Sequence, residues 1–170
     1  MPETNQPKRP LAVIIMAAGQ GKRMQDPSRA KVLYPLSGTP LLGHVLGLCR
    51  ELHCDREICV IGYGREQVRA YLDQSFPQVM TVVQEEQLGT GHAVQQAEGA
   101  LADFSGDVLV LSGDVPLLSM GTVERLVESH RTYHALATVL GVTMPDPTGY
   151  GRLIRSAGEG PLERIVEEKD

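Results

Sequence analysis

Residues 11–24 read LAVIIMAAGQGKRM. The first half is a β-branched apolar run with no polar alternation, the pattern of a strand buried on both faces. The second half leaves it through Gly19 and Gly21, followed at once by Lys22 and Arg23. Glycines bare backbone N–H groups, and with nearby cations they form a cradle for a highly charged anion such as a triphosphate. A tight turn with solvent-facing basic side chains explains the same residues equally well. Spelling excludes two common phosphate loops. A dinucleotide fingerprint needs a third glycine where Met24 stands, and no G-x-x-x-x-G-K-[ST] string occurs.

Outward from this stretch, apolar runs alternate with amphipathic ones. EICVIGY (57–63), VMTVVQ (79–84), DVLVLSG (107–113) and ALATVLGV (135–142) read as further strands. Thr39 and Pro40 read as the N-cap and first residue of a helix reaching about residue 52. REQVRAYLDQ (65–74) sets Val68, Tyr71 and Leu72 at helical spacing. Thr90 is expected to cap a helix to about residue 102, and Ser119 one to about residue 132. RLIRS (152–156) and LERIVEE (162–168) add a hairpin or two short strands. Strands and helices taking turns imply right-handed crossovers, hence an α/β, Rossmann-like fold with a mostly parallel sheet flanked by helices. Residues 1–10, with three prolines, read as a loose tail and residues 11–170 as one domain.

A chain of 170 residues, 42% hydrophobic and 22% charged, can bury a sizeable core. A net charge of −5 and 4% aromatics with no Trp argue against nucleic acid as a partner and leave small molecules. The run after Lys8 and Arg9 is too short to span a bilayer. It resembles the start of a secretion signal, but the Gly-Lys-Arg segment and the continuing β/α pattern favour a cytoplasmic protein. Cys49, Cys54 and Cys59, five apart, fit neither a disulfide framework nor a C-x-x-C metal pair, so they read as reduced thiols. His130 and His134 have metal-pair spacing but no third ligand nearby, and read as residues at a helix C-terminus. His92 reads as a packed or hydrogen-bonding residue.

A parallel sheet binds its ligands beyond the carboxyl ends of its strands. SGDVP (112–116) puts Asp114 there, where a carboxylate suits Mg2+, an ion that completes its shell with phosphate and water. QEEQLGTGHA (84–93) offers Gln84 and the bare backbone at Gly89 and Gly91 to the edge of a flat base. DPTGYGRL (146–153) offers close backbone approach at Gly149 and Gly151. Singly, each is also an ordinary turn. Together they supply an anion cradle, a metal carboxylate, a base reader and a sugar loop.

With these segments in order, the chain resembles the uridylyltransferase domain of bacterial N-acetylglucosamine-1-phosphate uridylyltransferase, within the sugar nucleotidyltransferase superfamily. The resemblance rests on MAAGQGKRMQDPSRAKVL (16–33), QEEQLGTGHA, LSGDVPLL (111–118), DPTGYGRLIR (146–155) and RIVEEKD (164–170). It implies Mg2+-dependent synthesis of UDP-N-acetylglucosamine and pyrophosphate from UTP and N-acetylglucosamine 1-phosphate, for cell-wall precursors. It implies that the backbone of Met16, Ala17, Ala18 and Gly19 holds the nucleotide, joined by Gly21. Gln84, Gly89 and Thr90 would read uracil, and Asp114 would hold the metal. Gly113, Gly151 and Glu167 would contact the sugar. Arg23 and Lys31 would absorb charge on the triphosphate as the catalytic cations. Lys22 stands where the family has Thr, and Ala30 where it has Pro. The family's catalytic domain and its acetyltransferase domain extend further, so the resemblance implies a truncated chain. The rival readings are a relative with another base or acceptor and a non-catalytic nucleotide-binding module.

Overall fold

The computed structural model describes residues 9–21, 28–156 and 160–167. The chain divides into two compact units, Met1–Val127 and Glu128–Asp170.

In the first unit, strands β1 (Leu11–Ala17), β4 (Arg56–Ile61), β5 (Met80–Val83) and β6 (Asp107–Ser112) form one sheet in the order β5-β4-β1-β6. Every neighbouring pair is parallel, with Ile14 level with Ile58 on one side and Val110 on the other. Parallel neighbours require crossovers, and helices α1 (Leu41–Leu52), α2 (Arg65–Ser75) and α3 (Thr90–Gln95) lie in them. Helix α4 (Met120–Thr132) follows β6. A two-residue ladder, β2 (Pro35–Leu36) with β3 (Thr39–Pro40), precedes α1.

Strand alternation sorts the core into two layers. Val13, Ile15, Cys59, Ile61 and Leu109 face Leu42, Val45 and Leu46 of α1, Val68 and Leu72 of α2, and Val123 of α4. Ile14, Ile58 and Val60 face the other way, onto Ala93 and Ala97. This double burial is why β1 and β4 carry unbroken apolar runs. Each fully buried Ile or Leu contributes about 1.5–3 kcal/mol.

The helix starts differ from expectation at two places. Pro40, not Thr39, is the N-cap of α1, because Thr39 and Pro40 are held in the ladder with β2. Gly89, not Thr90, caps α3, with φ 105°, a backbone conformation natural only to glycine. That helix stops at Gln95, and the chain continues through a short 3-10 turn at Gly99–Leu101. Ser119 does cap α4, its Oγ accepting from Thr122 N at 3.3 Å.

The second unit contains the antiparallel pair β7 (Arg152–Arg155) and β8 (Leu162–Val166). The strand expected at 135–142 does not form. The segment has strand propensity, but a strand exists only against a ladder partner, and none of the described residues pairs with it. Leu136 and Val142 are correspondingly exposed. His130 lies in the last turn of α4 and bonds Thr138 Oγ1 at 3.0 Å, while His134 adopts φ 47° just past the helix end. No cluster of three metal-ligating side chains occurs among the described residues, and no described helix is long and apolar enough to cross a membrane.

All three cysteines are free thiols. Burial raises the Cys49 pKa and pushes Cys59 up to about 12. A thiolate is the reactive form, so both should resist alkylation near neutral pH. Intact-mass analysis after iodoacetamide treatment of the native protein should show at most one label, on the half-buried Cys54. Three labels without denaturant would contradict this packing.

Candidate active site

The carboxyl ends of β1, β5 and β6 open onto one cleft of about 680 Å³ in the first unit. Met16, Ala17, Ala18, Gly19 and Gly21 line it from the β1 end, and Gln84, Gly89 and Thr90 from the segment after β5. Lys31 and Asp114 line it as well. The structure therefore gathers the nucleotide-loop, base-reading and metal residues expected from sequence. Arg23, with Lys22, lies outside the described residues. Gly113 is buried rather than lining the cleft, and its N–H donates to Met16 O at 2.9 Å, tying the end of β6 to β1.

Lys31 and Asp114, 83 residues apart, form an ion pair in which Lys31 Nζ donates to Asp114 Oδ2. Both side chains are about a third exposed, so each is half withdrawn from water yet open to a ligand. Gly21 makes room for this cation. Its φ is +61°, and a Cβ there would lie 2.8 Å from Lys31 Cβ. Glycine is thus required twice, by the backbone and by the neighbour. Among the described residues, no backbone hydrogen bond uses the N–H of Gly19, Gln20 or Gly21.

Two glutamines that sequence reasoning passed over hold the cleft's walls. Gln87 Nε2 donates to Ala18 O at 2.9 Å, and Tyr63 N donates to the same oxygen at 3.1 Å. Gly62 permits this approach, since a Cβ there would meet Ala18 O at 2.9 Å. On the same side, Arg65 Nη1 donates to Glu85 Oε2 at 2.7 Å, and that carboxylate holds the guanidinium's proton more firmly.

The second is Gln67, on α2. Its Oε1 accepts from Ala30 N at 3.1 Å and its Nε2 donates to Ser28 O at 2.8 Å, clasping the segment that delivers Lys31. Ala30 has φ −61° and ψ 134°, the conformation proline would impose. Alanine keeps that shape but adds an N–H, and at 1% exposure the N–H needs a partner. Gln67 supplies it. Gln67→Ala should cost about 1–2 kcal/mol of stability and slow turnover several-fold by loosening Lys31. Adding Ala30→Pro to that variant should recover much of both, because proline restores φ and has no N–H to satisfy. Melting temperature and turnover of the two variants check this; no recovery in the double variant would separate Gln67 from the conformation of Ala30.

In the second unit, Gly151 and Glu167 come together at the end of the β7–β8 ladder. A Cβ on Gly151 would lie 3.5 Å from Glu167 Oε2 and 3.4 Å from Val166 O.

Comparison with known proteins gives three kinds of likeness. A family described as the MobA-like NTP transferase domain matches residues 13–164. The bifunctional protein GlmU of Paraburkholderia phymatum is 50% identical over 160 residues, 94% of this chain and 34% of that protein. The chain spans between a third and a half of the length of the curated relatives it matches. Among solved structures, UDP-glucose pyrophosphorylase complexed with UDP-glucose superposes with a TM-score of 0.72 at 17% identity, covering 94% of this chain and 69% of that one. Rv0371c of Mycobacterium tuberculosis H37Rv, in complex with manganese, superposes at 0.55 and 22% identity, covering 72% and 60%. At these identities the structures establish the fold: a parallel sheet flanked by helices, of the nucleotidyltransferase type.

Proposed function

The chain belongs to the MobA-like NTP transferase family and is a nucleotidyltransferase domain, and from that premise we propose that it transfers a uridylyl group from UTP to N-acetylglucosamine 1-phosphate. The products are UDP-N-acetylglucosamine, a cell-wall precursor, and pyrophosphate. The observation that carries this reading is the Lys31–Asp114 ion pair at a cleft also lined by Gln84, Gly89 and Thr90. Phosphate chemistry needs the first pair and a flat base needs the second group. The 50% identity to a GlmU supports the choice of base and sugar.

In the proposed reaction the sugar-phosphate oxygen attacks the α-phosphorus in line as the bond to the β-phosphate oxygen breaks. No covalent enzyme intermediate forms, so catalysis rests on position and charge. The N–H groups of Gly19 and Gly21 hold phosphate oxygens. Lys31 turns from Asp114 to the triphosphate and absorbs charge there, with Arg23 as a second cation. Gln84, Gly89 and Thr90 hold uracil; Gly151 and Glu167, brought together in the second unit, serve the sugar, and Gly113 instead ties the end of β6 to β1. Asp114 would hold Mg2+. A carboxylate about a third exposed suits an ion that takes one or two protein carboxylates and draws the rest of its shell from phosphate and water. When bound, that ion neutralises charge developing on the phosphate oxygens. We place this reaction in the cytoplasm.

The test is pyrophosphate release by the product of the full reading frame, with Mg2+, N-acetylglucosamine 1-phosphate, and UTP, CTP, GTP or ATP in parallel. Release with UTP alone is expected. Release with another triphosphate reassigns the base. Nucleotide binding without release makes the chain a non-catalytic module.

A further inference from the structure

We propose that His92 is a positioning residue for base selection, holding the Gln84 amide so that the cleft presents a carbonyl oxygen to the base. The inference rests on the nucleotide cleft proposed above. Gln84 is 4% exposed, and its backbone is pinned by Gln84 N donating to Ile61 O at 2.8 Å. Its Nε2 lies 3.1 Å from Gly89 O and 3.1 Å from His92 Nδ1. A carbonyl oxygen only accepts, so the Gly89 contact fixes which end of the amide is nitrogen. Both amide hydrogens are then spent, one on Gly89 O and one on the ring.

This requires Nδ1 of His92 to accept, which puts the ring proton on Nε2. Gln96 Nε2 stands 3.0 Å from that atom and 3.1 Å from His92 O. Two nitrogens that both carry hydrogens make no bond, so one of the two amides flanking the ring must turn. Gln96 is the one that turns. It is half-buried and water can take over its lost contact, whereas a donor facing a donor at buried Gln84 has no such relief. Because Gln96 Nε2 also donates to His92 O, the turned side chain must swing off that carbonyl, and its Oε1 then accepts the Nε2 proton.

Gln84 Oε1 has no hydrogen-bond partner among the described residues, and no buried side-chain nitrogen or oxygen among them lacks one. Oε1 therefore opens onto the cleft that Gln84 lines. An acceptor at that place attracts a base whose ring edge carries an N–H, as uracil does at N3. It repels cytosine, which presents a lone pair there. The specificity belongs to Gln84, and its orientation belongs to His92.

Two measurements test this. The first is the ratio of kcat/KM for UTP over CTP, with direct binding of each triphosphate alongside. His92→Ala should lower the ratio about tenfold, the worth of one neutral hydrogen bond. His92→Asn, whose side-chain oxygen can accept from Gln84, should restore most of it. Equal slowing with both triphosphates and an unchanged ratio would overturn the proposal. The second is ¹⁵N NMR of the imidazole in the ligand-free protein. A protonated Nε2 and a bare Nδ1 are expected; a proton on Nδ1 would overturn the proposal whatever the substrate. If the wild-type protein uses no UTP, the functional reading fails, and the tautomer still decides the geometry of Gln84.

Discussion

Asp114→Asn should lower pyrophosphate release by roughly a thousandfold while the fold survives. The change is isosteric and removes only a charge. Metal neutralisation of a transferring phosphoryl group is worth several kcal/mol, and each ~1.4 kcal/mol is tenfold in rate. The stability cost is small, because the Lys31–Asp114 pair keeps about a third of each side chain in water. Such a pair contributes less than about 1 kcal/mol, or a shift of a few degrees in Tm. A paramagnetic readout with Mn2+ should show the variant's affinity for the ion falling in step. Normal turnover with normal Mn2+ binding would remove Asp114 from the metal site.

The second large effect belongs to Lys31→Ala, expected to lower kcat about a hundredfold. Removing one preorganised donor from developing charge costs on the order of 10²–10³. Its signature is a split between parameters: kcat falls, and KM for the sugar phosphate stays nearly constant, because Lys31 serves the triphosphate. The ligand-free variant should also bind Mn2+ more tightly than the parent, since Asp114 loses its internal counter-ion. An unchanged kcat would take Lys31 out of the reaction.

The parts of the fold legible in sequence were those whose burial is written locally. LAVII and the ICVI of β4 are continuous apolar runs because β1 and β4 have a core layer on each face. Asp114 and Gln84 stood out because each follows such a run at the edge where a parallel sheet binds. ALATVLGV has the same local character as β1, yet it pairs with no described residue, and pairing is not a local property. Gln67 and Gln87 were illegible for a related reason. Each is a glutamine whose importance lies in a backbone atom 37 or 69 residues away. In sequence His92 reads only as a packed or hydrogen-bonding residue, since the two glutamines on its ring come to it only when the chain after β5 is folded.

The carbonyl of Ala18, gripped by Tyr63 N and Gln87 Nε2, has a consequence for the thermodynamics of anion capture. In a trans peptide the C=O and the next N–H point in opposite directions. Two donors on the Ala18 oxygen therefore aim the Gly19 N–H the other way and oppose a flip of that plane. Glycine loops usually pay for order when the anion arrives. Here the dipole is set while the sheet assembles, so phosphate meets an oriented amide and little conformational entropy is lost on binding. Calorimetry of inorganic pyrophosphate binding should show this directly: Gln87→Ala, with one of the two donors gone, makes the entropy of binding more unfavourable.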